Sequence, residues 1–296
     1  MTCTVTRWAN NGDVFTTTTV QTDDGVTIAV YDWGGFGPPI LLGHPTGFHG
    51  QIWAPTAHAL VADGFRVVSF DYRGHGDSGA DPTGEYRWAR FALDALAVAQ
   101  WIDDPQLVAA GHSKGAAALL LGAADHPTIF RRIWAFEPIV FPTLAVYEPD
   151  PNFPLAVGAR KRRNEWSGPD EAFASYTSRP PMNAMDPRCV RTYVDHGLRD
   201  RGDGMWELKC APATEAAVYT MGPVNGAWAL LSEITTPVRL LCGGESRDMS
   251  PALIRRLAER LPNATVDVWD AHGHFGPQAE PEHAAISIAS FARATP

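Results

Sequence analysis

Ser113 stands at the centre of Gly-His-Ser-Lys-Gly, residues 111–115. A serine hydroxyl is a weak nucleophile until a base and a fixed geometry activate it, and this spacing supplies the geometry. A short apolar run ends at Gly111, and an alanine- and leucine-rich run of helical length follows to Ala124, so the serine falls where strand becomes helix. A turn that sharp drives the positions two before and two after the serine toward neighbouring backbone, and both are glycine. The helix that begins there aims unpaired N–H groups and a positive dipole end at any oxyanion forming beside the hydroxyl. The indicated chemistry is attack on a carbonyl carbon. A chance Gly-x-Ser-x-Gly in a helix cap is the alternative, and the strand before and helix after disfavour it.

The elements that must hold this serine are read in chain order. Phe15–Gln21 and Val26–Tyr31 are β-rich runs split by Thr-Asp-Asp-Gly, which predicts an opening hairpin after a loose first dozen residues. Strands are expected at Ile40–Gly43, Arg66–Phe70, the run before Ser113, Arg132–Glu137, Val238–Cys242 and Thr265–Trp269. Helices are expected over Trp53–Ala62, Tyr86–Trp101, the run after Ser113, Ala252–Arg260 and Glu282–Ala292. Alternation of this kind implies an α/β fold: a mostly parallel central sheet of about eight strands flanked by helices. Between Pro138 and Ser232 the rhythm lapses into a proline-, aromatic- and arginine-rich stretch. Helical patches at Asp170–Ser178 and Pro187–Gly197, without strand alternation, mark it as a helical insertion over one end of the sheet. The expected division is a core of residues 1–138 and 233–296 with a cap of residues 139–232.

A chain of 296 residues can bury one substantial α/β core. With 19% charged residues and a net charge of -9 there is no basic field to attract nucleic acid or an anionic membrane surface. The first thirty residues hold no apolar stretch of signal-peptide type, and no run reaches membrane-spanning length, so a cytoplasmic protein is expected. Cys3, Cys189, Cys210 and Cys242 lack the spacing of a zinc site or a disulfide framework and are expected to be reduced.

Four ordered motifs, His-Pro-Thr-Gly-Phe-His-Gly at 44–50, Asp-Tyr-Arg-Gly-His-Gly-Asp-Ser at 71–78, Gly-His-Ser-Lys-Gly and His-Gly-His-Phe-Gly-Pro at 272–277, span nearly the whole chain. In them the sequence resembles the α/β-hydrolase superfamily, specifically serine-nucleophile members with a cap inserted after the strand that follows the nucleophile helix. The resemblance implies a catalytic base in the loop after the last strand, which matches His274, with His272 as a rival better suited to bracing the loop. It implies an oxyanion hole formed by the N–H of Lys114 and one from the loop at 44–46. Proline has no N–H to give, so that second donor is Thr46. The Lys114 side chain is read as reaching solvent at the cap margin, with carboxylate binding as the sharper alternative.

The acid that orients the histidine is ambiguous. Family members commonly place an aspartate three residues after a glycine ending the penultimate strand, but here that position is Arg247 and an aspartate comes one residue later. Asp248 is therefore the first candidate. Glu137, at the end of the strand after the nucleophile helix, is the second because other members place their acid there; its bland reading is a carboxylate bracing the cap hinge. Glu245 is the third. Other residues read structurally: His44 and His49 as braces of the oxyanion loop, His58 on a helix surface and His75 in a loop. The run Arg160, Lys161, Arg162, Arg163 is either a solvated helix face or a lid that binds a substrate carboxylate.

The expected function is hydrolysis of a small carboxylic ester or lactone through an acyl-enzyme on Ser113, without cofactor or metal. A carbon–carbon bond hydrolase acting on a ketone, and a slow or non-catalytic ligand-binding homologue, are the alternatives. The expected partner is a small-molecule substrate, with no nucleic acid and no membrane; the oligomeric state stays open, a homodimer included.

Overall fold

The computed structural model describes residues 14–142 and 148–294, so Cys3 and the opening residues read as loose lie outside the described chain. The hairpin forms as expected: β1 (Thr16–Gln21) and β2 (Thr27–Gly34) pair antiparallel in register from Thr16↔Asp32 to Gln21↔Thr27. Then come β3 (Pro39–Gly43), α1 (Ala54–Ala62), β4 (Arg66–Phe70), α2 (Trp88–Ile102), β5 (Val108–His112), α3 (Lys114–Asp125) and β6 (Arg132–Phe136). After a long insertion the rhythm resumes with β10 (Val238–Gly243), α9 (Pro251–Ala258), β11 (Ala264–Trp269), α10 (Gly276–Ala279) and α11 (Pro281–Arg293). Together the strands make one eight-stranded sheet in the order β1-β2-β4-β3-β5-β6-β10-β11, parallel from β4 onward.

The sheet is covered on both faces, which is why its strands read as continuous apolar runs. Leu41, Val68, Ile133 and Leu240 face the layer containing Phe91 of α2 and Leu119 of α3. Their neighbours Ile40, Leu42, Val67, Trp134 and Leu241 face Leu60 of α1 and Ile288 of α11. Burying each such aliphatic side chain contributes about 1.5–3 kcal/mol. Among the described residues no helix is long and apolar enough to cross a membrane, and Cys189, Cys210 and Cys242 are buried free thiols.

The insertion between β6 and β10 is mainly helical: α4 (Pro154–Arg160), α5 (Pro169–Thr177), α6 (Pro187–Gly197), α7 (Pro212–Thr220) and α8 (Ala227–Leu230). The expectation that it lacks strands is corrected by a three-stranded antiparallel sheet of β7 (Glu165–Trp166), β8 (Leu198–Asp200) and β9 (Trp206–Leu208). Strands of two and three residues are too short to show alternation. Bonds to the core seat the insertion: Trp88 Nε1 donates to Met221 O at 2.6 Å, Asp186 N to Gln278 O at 2.9 Å, and Lys209 pairs with Asp77 at 2.6 Å.

Candidate active site

Five loops leave the carboxyl ends of parallel strands on one edge of the sheet, where open α/β sheets bind ligands. After β3 comes Thr46, after β5 Ser113, after β6 Glu137, after β10 Ser246 and after β11 His274. Ser113 adopts φ 57 and ψ −118, a conformation that L residues rarely hold. A side chain at Gly111 would place its Cβ 2.6 Å from Ala116 N, and one at Gly115 would stand 2.4 Å from Gly43 O, so the turn closes only with glycine at both positions. Gly115→Ala should therefore cost about 1–3 kcal/mol, read as a fall in the urea unfolding midpoint, because the obstructing atom is backbone.

Although Ser113 occupies the N-cap position of α3, its side chain makes no capping bond. Its Oγ lies 3.2 Å from His274 Nε2 instead. The other ring nitrogen, Nδ1, is 2.5 Å from Glu137 Oε2. A carboxylate can only accept, so Nδ1 carries the proton and Nε2 is left as the acceptor for the serine hydroxyl. The second Glu137 oxygen accepts from Gly243 N at 2.8 Å and Ser246 Oγ at 2.5 Å. Glu137 is wholly buried and held at φ 44, with its own N–H donating to Leu241 O at 2.8 Å.

The first-choice acid, Asp248, is not the carboxylate bonded to His274. Asp248 and Glu245 are both exposed, and the hydrogen-bond chain runs through Glu137. In the loop after β10 the contribution is made by Gly243 N and Ser246, which hold the far side of the Glu137 carboxylate. Ser246 was not singled out in the sequence; a hydroxyl in a polar loop gives no signal of its own. The histidine at Ser113 Oγ is His274 and not the rival His272, whose backbone O accepts from Glu245 N at 3.0 Å and whose ring sits edge-on to Trp269. His112, also unremarked in the sequence, is buried with its ring 4.7 Å from that of His274. Burial, and then the nearby His274, hold its pKa well below the usual histidine range.

The two expected oxyanion amides belong to the first residue of α3 and to the loop after β3. The loop after β3 runs against the first turn of α3, as the closeness of Gly43 O and His44 O to Gly115 shows. Among the described residues neither Thr46 N nor Lys114 N donates to a backbone acceptor outside the helices and strands. His44 braces this loop as expected: Nδ1 donates to Pro45 O at 2.8 Å and Nε2 accepts from Tyr72 N at 3.0 Å. Burial and the Lys114 charge depress its pKa strongly, so it stays neutral. His49 is likewise structural, 2.9 Å from Gln51 Oε1 and 3.1 Å from Tyr193 O. Beneath the loop, Asp71 accepts from Gly50 N at 2.6 Å, Tyr31 Oη at 2.6 Å and Asp77 N at 2.7 Å, and burial raises its pKa to about 6.

Lys114 departs from both readings of its side chain. It is fully buried, not solvated, with Nζ over the rings of Tyr72 at 4.2 Å and Phe91 at 4.7 Å. His75 Nε2, whose ring donates through Nδ1 to Arg73 O, lies 3.5 Å from that amine. Burial pushes the Lys114 pKa down to about 7. The basic run is resolved residue by residue. Arg160 turns back to Pro151 O at 2.6 Å, Lys161 is exposed, and Arg163 pairs with Glu171 at 2.6 Å. Arg162 alone of the four turns inward, to Glu215 at 2.7 Å and Tyr176 Oη at 3.0 Å.

A serine at a strained strand-to-helix turn, reached by a histidine and a carboxylate from later strand ends of a mostly parallel sheet, defines the α/β-hydrolase class. The model described as the alpha/beta hydrolase family matches residues 21–286, and the chain belongs to that family. It is 24% identical over 257 residues to a putative carbamate hydrolase, RutD, of Caulobacter sp. (strain K31), covering 83% of this chain and 88% of that one. To the 2-(acetamidomethylene)succinate hydrolase of Mesorhizobium japonicum it is 25% identical over 260 residues, 87% of this chain and 88% of that one. A crystal structure of E-2-(acetamidomethylene)succinate hydrolase superimposes with a TM-score of 0.79 at 22% identity, covering 95% of this chain and all of that one. An esterase from Exiguobacterium antarcticum does so with a TM-score of 0.73 at 18% identity, over 94% and 99% of the two chains.

Proposed function

We propose that the chain is a serine hydrolase that cleaves a small carboxylic ester or lactone through an acyl-enzyme on Ser113. The observation that carries this reading is the unbroken hydrogen-bond chain from Ser113 through His274 to Glu137. As Ser113 Oγ bonds to the substrate carbonyl carbon, its proton passes to His274 Nε2 and the carbonyl electrons move to oxygen. The N–H groups of Thr46 and Lys114 hold that oxyanion, while Glu137 stabilises the imidazolium through Nδ1. Collapse breaks the bond to the leaving alcohol, which departs with the Nε2 proton. Water then repeats the sequence on the acyl-enzyme and frees the acid. Against the slow or non-catalytic alternative, a buried carboxylate, Glu137, stands within hydrogen-bond reach of His274 Nδ1, which supports the catalytic reading.

A second reading is hydrolysis of a carbon–nitrogen acyl bond, favoured because two of the relatives that match over most of the chain are named as a putative carbamate hydrolase and a 2-(acetamidomethylene)succinate hydrolase. The chemistry at Ser113 is the same; the leaving amine needs the His274 proton more. Both readings are tested by incubating the protein with 4-nitrophenyl acetate and with 4-nitroacetanilide. The expected result is a burst of nitrophenolate, an added acetyl mass on the peptide bearing Ser113, and steady turnover. Release of nitroaniline at a comparable rate would favour the amide reading. A folded protein that gains no acetyl mass from either compound overturns both.

A further inference from the structure

The turn that carries the Thr46 N–H continues into Gly47, which sits at φ +79. Glycine at a positive φ has wide freedom, and the turn's own closing bond, Phe48 N donating to Pro45 O, is long at 3.3 Å, so the aim of an oxyanion donor beside it depends also on contacts from outside the turn. Part of that outside restraint comes from the insertion. A Cβ on Gly47 would lie 2.6 Å from Glu215 Oε1 and 3.4 Å from Arg162 Nη1, which puts these two side chains directly against the turn. The Tyr193 hydroxyl lies 3.4 Å from Gly47 O and is oriented to donate to it, and its ring packs 5.0 Å from that of Phe48.

Arg162 ties these groups together. Nη1 donates to Glu215 Oε2 at 2.7 Å, and Nη2 donates to Tyr176 Oη and to Tyr193 Oη. Three helices of the insertion, α5, α6 and α7, therefore converge through one guanidinium on the peptide next to Thr46. The charge of Arg162 is already matched by Glu215, with side-chain exposures of 21% and 10%, so it is not a free cation awaiting a substrate carboxylate.

We propose that Arg162, with Tyr193 and Glu215, is a positioning residue that sets the Thr46–Gly47 turn, so that the insertion controls the oxyanion site without touching the reacting atoms. This rests on the serine-hydrolase reading. It makes the insertion a determinant of rate as well as of substrate shape: tilting α6 or α7 would swing the turn and weaken transition-state binding while leaving ground-state binding nearly intact.

The test compares wild type, Arg162→Met, Arg162→Lys and Tyr193→Phe in burst acylation by 4-nitrophenyl acetate and by 4-nitrophenyl hydrogen succinate. Inhibition by a small aliphatic trifluoromethyl ketone, whose serine adduct carries an oxyanion, is measured alongside. For Arg162→Met the acylation rate constant should fall and the ketone inhibition constant rise together, each by about 10- to 100-fold. The ester dissociation constant should move by less than about 3-fold, equally for both esters. Arg162→Lys should recover part of the loss, and Tyr193→Phe should shift both constants in the same direction. The Tyr193→Phe variant keeps the ring and decides the matter if Arg162→Met does not fold. A loss confined to the succinate ester would make Arg162 a substrate contact and overturn the proposal, as would unchanged ketone inhibition in every folded variant. Acylation of the wild type with unaffected variants sinks the positioning claim alone, whereas a wild type that is never acylated sinks the hydrolase reading and this claim with it.

Discussion

Glu137→Gln should lower the acylation rate of Ser113 by about 10³- to 10⁴-fold, whereas Asp248→Asn should leave it within about 2-fold. The magnitude follows from which atoms around residue 137 can only donate. Gly243 N is a fixed donor and Ser246 Oγ stands beside it, both on one Glu137 oxygen. A glutamine must turn its carbonyl oxygen toward Gly243 N, since an amide NH2 there would face N–H with N–H. Its NH2 then faces His274 Nδ1, which has to accept. That moves the ring proton to Nε2, where the lone pair is needed for the Ser113 hydroxyl. The backbone and packing stay the same, so the unfolding midpoint should move far less than the rate. Ser246→Ala, which removes one of the two donors, should give a smaller loss in the same direction. Pre-steady-state release of nitrophenolate from 4-nitrophenyl acetate reads all of these. If Asp248→Asn abolishes the burst while Glu137→Gln retains it, the carboxylate assignment made from the geometry is wrong.

Both carboxylates were plausible in the sequence because β6 and β10 are neighbours in the sheet, with Phe136 paired to Leu241. An acid leaving either strand can reach a histidine in the loop after β11. What decides between them is the course of each loop. Glu137 leaves β6 at a positive φ just before Pro138 and points back over the sheet edge, while the loop after β10 turns Asp248 outward. One-dimensional spacing does not encode that difference. The elbow was legible because its constraints are local: strand, glycine, serine, glycine and helix follow within one turn. The same holds for the sheet strands, whose apolar runs are short and bounded by turn residues.

The insertion was the least legible part for a related reason. Its prolines look like breaks in rhythm, yet Pro154, Pro169, Pro187 and Pro212 each open a helix. At the first helical position proline loses no hydrogen bond, and its fixed φ suits the helix. Read as start signals, they would have located α4 and α7, which no apolar periodicity announced. The inward turn of Arg162 had no such sign, since three of the four residues in its basic run do face solvent or surface partners. Only the tyrosines and Glu215, brought from 14 to 53 residues away, distinguish it.

Lys114 is where composition misleads most, and there the consequence is measurable as stability. A lysine next to an active-site serine reads as a solvated or ligand-binding cation, yet its side chain runs under the elbow into an aromatic pocket. Burial there lowers its pKa from 10.5 to about 7. Between those values the unfolded chain holds a proton that the folded chain has released, so ν_U exceeds ν_N and stability rises with pH. Below pH 7 both states are protonated and the full cost of burying the cation is present; above 10.5 neither is, and the cost is gone. Lys114→Met, a volume-conserving change that removes the amine, should therefore stabilise the protein at pH 6. The gain should shrink by about 4 kcal/mol on going to pH 10. Urea unfolding of both proteins across that range measures the difference and cancels groups common to both. A gain independent of pH, or a loss that deepens below pH 7, would mean that Lys114 is held as a compensated cation, with Asp94 and Asp71 outweighing the desolvation.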